Sequence, residues 1–178
     1  MFNYEKFEND VLGQMEAVLD KWAEEKDDLY IFSLDCARGM ESIGVIANTT
    51  HYLEEQAEPD SEDYGYYKYC EEEWELYHAF EAISTDMGKY LAENGSIFSG
   101  PETHVYSEAF DRHCEKIIGC CQNALACFRK VLNQNHSNLL LTFNIRGYLD
   151  GEERMEIFKK VNSGNAIQEY SRHLEEFE

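Results

Sequence analysis

His113, Cys114, Cys120, Cys121 and Cys127 share one stretch of the chain; His113, Cys120 and Cys127 recur at seven-residue steps, as do Cys114 and Cys121. On a helix this spacing aligns imidazole and thiolate groups, the soft ligands of zinc or copper. Structural zinc sites, however, draw closely spaced ligand pairs from turns, and a reduced cysteine packs as a small hydrophobe. The stripe is therefore read as helix core. Glu75-x-x-His78 has the spacing that di-iron bundles place on facing helices, but such a site needs the pair twice with further glutamates. This chain offers it once, in a run already crowded with glutamate, and the nearby His51 and Glu54 read as the same coincidence. No G-x-S-x-G elbow, phosphate-cradling glycine loop or HExxH is present. Carboxylate pairs carry no signal for glycoside chemistry, because 36 acidic residues always supply some pair.

The most concentrated feature is not catalytic. Residues 54–77 read EEQAEPDSEDYGYYKYCEEEWELY, with ten carboxylates, five tyrosines and one tryptophan around a single lysine. The whole chain follows the same bias, with 36 Asp plus Glu against 15 Lys plus Arg and a formal charge of −21. Such a surface attracts cations and basic macromolecules and repels nucleic acid and anionic membrane. Aromatics interleaved as in YGYYKY can stack on bases, but stacking platforms sit in basic grooves. The opposite role fits better: an acidic face studded with tyrosines, preferred interface anchors, occupying the basic cleft of another protein. The bland alternative is that the carboxylates solvate this face while the tyrosines complete the core.

These residues need a body to hold them. At 178 residues, 43% hydrophobic and 13% aromatic, the chain is one domain (1–178) with a real core and not a disordered acidic tail. The opening MFNYEKFEND has no basic region followed by an apolar run, so no secretory signal is expected. LLLTF at 139–143 is far too short for a membrane span. Without export the six cysteines are expected as free thiols of a cytoplasmic protein.

Apolar residues from Phe7 to Trp22 recur at helical steps, predicting a helix over 3–26 capped by Asn3, with Phe2 and Phe7 as a hydrophobic staple. LYIFSLDC (29–36) and SIGVIAN (42–48) read as an antiparallel hairpin, followed by a short helix capped by Asn48 or Thr49 and running to about Gln56. EPDSEDYG is a loop and YYKYC (66–70) a short strand. A helix is expected from Glu71 to a stop at Asn94-Gly95, with Trp74 starting its apolar stripe and so mostly in the core. After a loop at Gly100-Pro101, Ser107 caps a central helix over about 108–134. NLLLTFNIR (138–146) is a strand whose continuous apolar run suggests a buried place in the sheet, and helices 152–162 and 165–177 follow, separated by Gly164 as C-cap. The expected fold class is α+β, a small antiparallel sheet of about three to four strands packed against long α-helices.

Several of these segments resemble a family of uncharacterised bacterial proteins, the domain-of-unknown-function family 4303. LYIFSL (29–34) is similar to its first strand, and Ala47-Asn48-Thr49 to the tripeptide that ends its second. YYKYCEEEWELY, with Glu73-Trp74, resembles its Tyr-rich segment and helix-opening pair, and LLLTFNIRG its late strand. Arg146-Gly147 stands where an acidic residue is common in that family. The resemblance carries over no catalytic residue or cofactor. By analogy of size and charge it implies the setting of the small acidic immunity proteins encoded beside bacterial polymorphic toxins.

The expected function is that of a non-enzymatic acidic protein-binding module, an immunity protein neutralising a basic toxin domain. Its face is expected at Asp60, Glu62, Asp63, Tyr64, Tyr66, Tyr67, Glu71 and Glu72. No cofactor, metal, nucleic acid or membrane is expected. The alternative is a small hydrolase or metal-dependent enzyme with an unassigned His/carboxylate or Cys site.

Overall fold

A computed structural model describes residues 1–99, 106–132, 136–145 and 147–177. Helix α1 (Tyr4–Glu25) leads into strands β1 (Leu29–Cys36) and β2 (Ile43–Thr49), then helices α2 (Thr50–Gln56) and α3 (Tyr64–Tyr69). A single 3₁₀ turn at Glu71–Glu73 precedes strand β3 (Leu76–Ala79) and helices α4 (Glu81–Phe98) and α5 (Glu108–Leu132). Strand β4 (Leu140–Ile145) and helices α6 (Gly151–Val161) and α7 (Asn165–Phe177) complete the chain. The class is α+β. The expected loop at Gly100-Pro101 and residue Arg146 lie outside the described residues.

Local chemistry sets most boundaries. Asn3 accepts from the Lys6 amide at the start of α1, and the Phe2 and Phe7 rings meet across that cap at 5.7 Å. Thr49 ends β2 and caps α2 through its hydroxyl. Ser107 accepts from the Phe110 amide at the start of α5. Asp150 and Glu153 form a reciprocal capping box on α6. Gly164, at φ 74°, makes the left-handed turn between α6 and α7.

The four-stranded sheet runs β3-β2-β1-β4. β1–β2 and β2–β3 are antiparallel, but β4 pairs with β1 in parallel, so the sheet is mixed and not the antiparallel one expected. β4 also lies at an edge instead of inside the sheet. Its apolar run reflects helices on both faces, which leave Leu141, Thr142, Phe143 and Ile145 buried.

Alternation divides the strands between two cores. Phe32, Leu34, Val45, Leu141 and Phe143 face α1, α4 and α5. Ile31 and Ile46 face the opposite way, onto Tyr69, Trp74, Phe158, Tyr170 and Leu174. Each fully buried side chain of this size contributes about 1.5–3 kcal/mol of transfer free energy. Gly44 is needed where β3 lies closest to β2, since a Cβ there would come within 2.6 Å of the His78 carbonyl oxygen.

Two expectations fail within one segment. The strand expected at YYKYC (66–70) is instead the end of helix α3 and its C-cap, and the helix expected from Glu71 begins only at Glu81. In between, residues 76–79 extend to pair with β2, so Glu75 and His78 never share a helix face. α4 also continues past Asn94-Gly95 to Phe98.

Candidate functional site

The acidic segment wraps the second core. Ala57 is buried at the end of α2, and the chain from Glu58 to Asp63 then lies fully exposed. Turn hydrogen bonds from Ser61 N to Glu58 O and from Tyr64 N to Ser61 O shape it. Asp63 occupies the N-cap position of α3 without bonding its side chain to the helix, so its carboxylate faces water. Among the described residues Glu58, Asp60, Glu62 and Asp63 have no basic partner.

The tyrosines of α3 divide by depth. Tyr69 is buried, and its hydroxyl bonds Glu169 of α7 at 3.1 Å. Tyr64, Tyr66 and Tyr67 are half-buried. Tyr66 donates to Glu73 at 3.2 Å and packs against Tyr67 and Phe177. Lys68, the lone cation of the segment, is held by Glu169 at 2.6 Å. Between α3 and α7 runs a groove of about 370 Å³ lined by Tyr64, Lys68, Tyr69, Arg172, His173 and Phe177. A second hollow of about 310 Å³ continues past Tyr64 and Lys68 toward Tyr30 and Leu53.

The structure keeps Asp60, Glu62, Asp63, Tyr64, Tyr66 and Tyr67 on this face, with Glu72 exposed after α3. Glu71 does not belong to it. Only 6% exposed, its two carboxylate oxygens accept from Arg154 Nη2 at 3.2 and 3.1 Å. Asn144 adds a longer contact at 3.5 Å. Burial raises the Glu71 pKa while the Arg154 charge opposes that rise. A carboxylate so enclosed pins the 3₁₀ turn to α6 and offers nothing to a partner.

Sequence reasoning missed Arg154, Glu169 and the whole α7 wall of the groove. Ion pairs spanning 83 and 101 residues leave no local signal, although α7 carried a clear amphipathic pattern.

The residues weighed for catalysis are otherwise engaged. His113 accepts or donates a hydrogen bond at 2.8 Å with Tyr4 and stacks on Phe98, and burial lowers its pKa to about 4. Cys114, Cys120 and Cys121 are buried; desolvation lifts the first two to about 11 and the third well above its usual value, so they stay protonated. Cys127 is exposed. Glu75 is taken by Lys26 and Thr49. His51 pairs with Glu55 at 3.4 Å instead of facing Glu54. Among the described residues no group of three or more His, Cys, Asp or Glu is arranged to hold a metal, and no helix is long and apolar enough to cross a membrane.

No match to the chain was found among curated proteins or among solved structures. A family profile, however, matches residues 5–163, from the second residue of α1 through the end of α6, and thus takes in the whole sheet and the acidic segment. The chain accordingly belongs to the family described as a domain of unknown function, DUF4303.

Proposed function

We propose that the protein is a non-enzymatic binding module whose acidic α2–α3 face engages a basic protein, most concretely as an immunity protein masking a toxin domain in a bacterial cytoplasm. The observation that carries the reading is the exposed run of Glu58, Asp60, Glu62 and Asp63 beside the tyrosine-lined groove. A carboxylate with no internal partner gives up only solvent when a lysine or arginine arrives. A row of them steers a cationic protein and accelerates encounter. The half-buried tyrosines supply amphipathic contact area that is already ordered by packing.

The test is capture from a lysate of the source organism at low and then high salt. A basic protein retained at low salt and released at high salt is expected. Asp60→Lys, Glu62→Lys and Asp63→Lys together should cut its association at least about tenfold and flatten the salt dependence. Unchanged capture by this folded triple variant would overturn the reading.

A further inference from the structure

The two edges of the sheet are treated differently. At β4 the Asn162 side chain acts as a substitute strand: its Oδ1 accepts from the Leu141 amide at 2.9 Å and its Nδ2 donates to the Leu141 carbonyl at 2.6 Å. At Leu141 that edge is capped. At β3 the register fixes which backbone groups face outward. Phe80 N bonds Ile43 O, so Phe80, His78 and Leu76 point their amides and carbonyls at β2. Tyr77 and Ala79 then point theirs away from the sheet, and among the described residues nothing bonds them. The Tyr77 side chain is 62% exposed and His78 is exposed beside it.

An open edge is a template for another strand. Its surroundings select the occupant. From Glu71 to Gly88 the chain carries no lysine or arginine, and Glu81 and Asp86 stand exposed just after β3. A second copy pairing through β3 would bring these carboxylates against their own kind, on molecules each carrying −21. An extended segment bearing lysine or arginine meets opposite charge instead.

We propose that the outer edge of β3 is a strand-addition site for an extended basic segment, pairing with the main chain of Tyr77 and Ala79. This rests on the reading of a basic protein partner. The backbone bonds give an affinity that tolerates sequence change, the exposed Tyr77 ring offers a cross-strand neighbour for an apolar residue, and the neighbouring carboxylates choose the charge.

The test is amide hydrogen exchange on the full chain, with a short peptide alternating lysine and valine as probe and its glutamate–valine counterpart as control. In the free protein, Tyr77 and Ala79 amides should exchange faster than those of His78 and Phe80. The lysine peptide should slow Tyr77 and Ala79 by roughly tenfold or more and the glutamate peptide should not. Tyr77→Pro removes an outward amide while sparing the β2 ladder, and should abolish that binding with His78 still protected. Tyr77 and Ala79 already protected in the free chain, or no binding of the lysine peptide, would overturn strand addition. Peptide that protects only α2 and α3 would also overturn it while leaving the acidic-face reading intact. Conversely, edge protection together with unchanged capture by the Asp60, Glu62 and Asp63 reversal would sink that reading and keep the edge.

Discussion

Glu71 shows how one residue type serves opposite ends in a single run of glutamates. Glu72 is exposed at the surface, whereas Glu71 is enclosed with Arg154 between the sheet and α6. Removing either partner strands the other charge in the interior, which costs about 3–5 kcal/mol. Arg154→Ala is thus expected to lower stability by that amount in urea titration, while Glu58→Ala, at an exposed position, changes it by less than about 0.5 kcal/mol. The buried histidines give a second residue-level expectation. Burial holds His113 and His173 at about 4, below their value of 6.5 in an unfolded chain. Between these values the unfolded state binds more protons, so stability falls as pH drops from about 7 to 5, by about 1.5–2 kcal/mol per histidine. Denaturant titrations at the two pH values should show the loss, and His173→Gln should remove its share of the slope.

At the scale of elements, the hairpin β1–β2 and the third strand beside it depend on one close approach. Gly44 lets β3 lie against β2, and a side chain there must displace the His78 carbonyl. Gly44→Val is expected to destabilise the fold by about 1–3 kcal/mol. It should also speed exchange at the His78 and Phe80 amides while leaving those of β1 protected. This region is also where sequence reasoning went astray. Trp74, Tyr77, Phe80, Ile83 and Met87 fall at three- and four-residue steps, which reads as one helix. A four-residue edge strand is too short to impose a period of its own, and β2 supplied the hydrogen bonds that made the extended form cheaper. YYKYC (66–70) misled in the other direction. Its tyrosines favour strands in general, but here Tyr69, the last residue of α3, is buried against Phe158 and Tyr170.

Over the whole molecule, a charge of −21 on 178 residues repels itself as well as any anionic partner. Raising ionic strength from about 0.01 M to about 0.15 M shortens the screening length from roughly 30 to roughly 8 Å. Two effects of opposite sign are expected. The isolated chain should melt a few degrees higher in the added salt as its self-repulsion is screened, whereas a complex with a basic protein should weaken. A melting temperature that stays flat with salt would show that the carboxylates are too well dispersed to repel, and would remove the steering argument with it.

The amino-acid sequence by itself determined the α+β class, the capped helix α1, the hairpin and its continuation into α2, the central helix with Cys114, Cys120 and Cys121 buried, and the exposed acid of residues 58–63. Each of these rests on local chemistry: a cap, a period, a turn, or a run of one charge. Tertiary structure alone decided that β4 joins β1 in parallel, that Glu71 turns inward to Arg154, that α7 walls a groove beside α3, and that Asn162 caps β4 at Leu141 while the outer edge of β3 is left open. Those outcomes depend on partners up to about a hundred residues away. No local pattern encodes which distant donor will meet a given acceptor, because that choice is made only when the whole core closes.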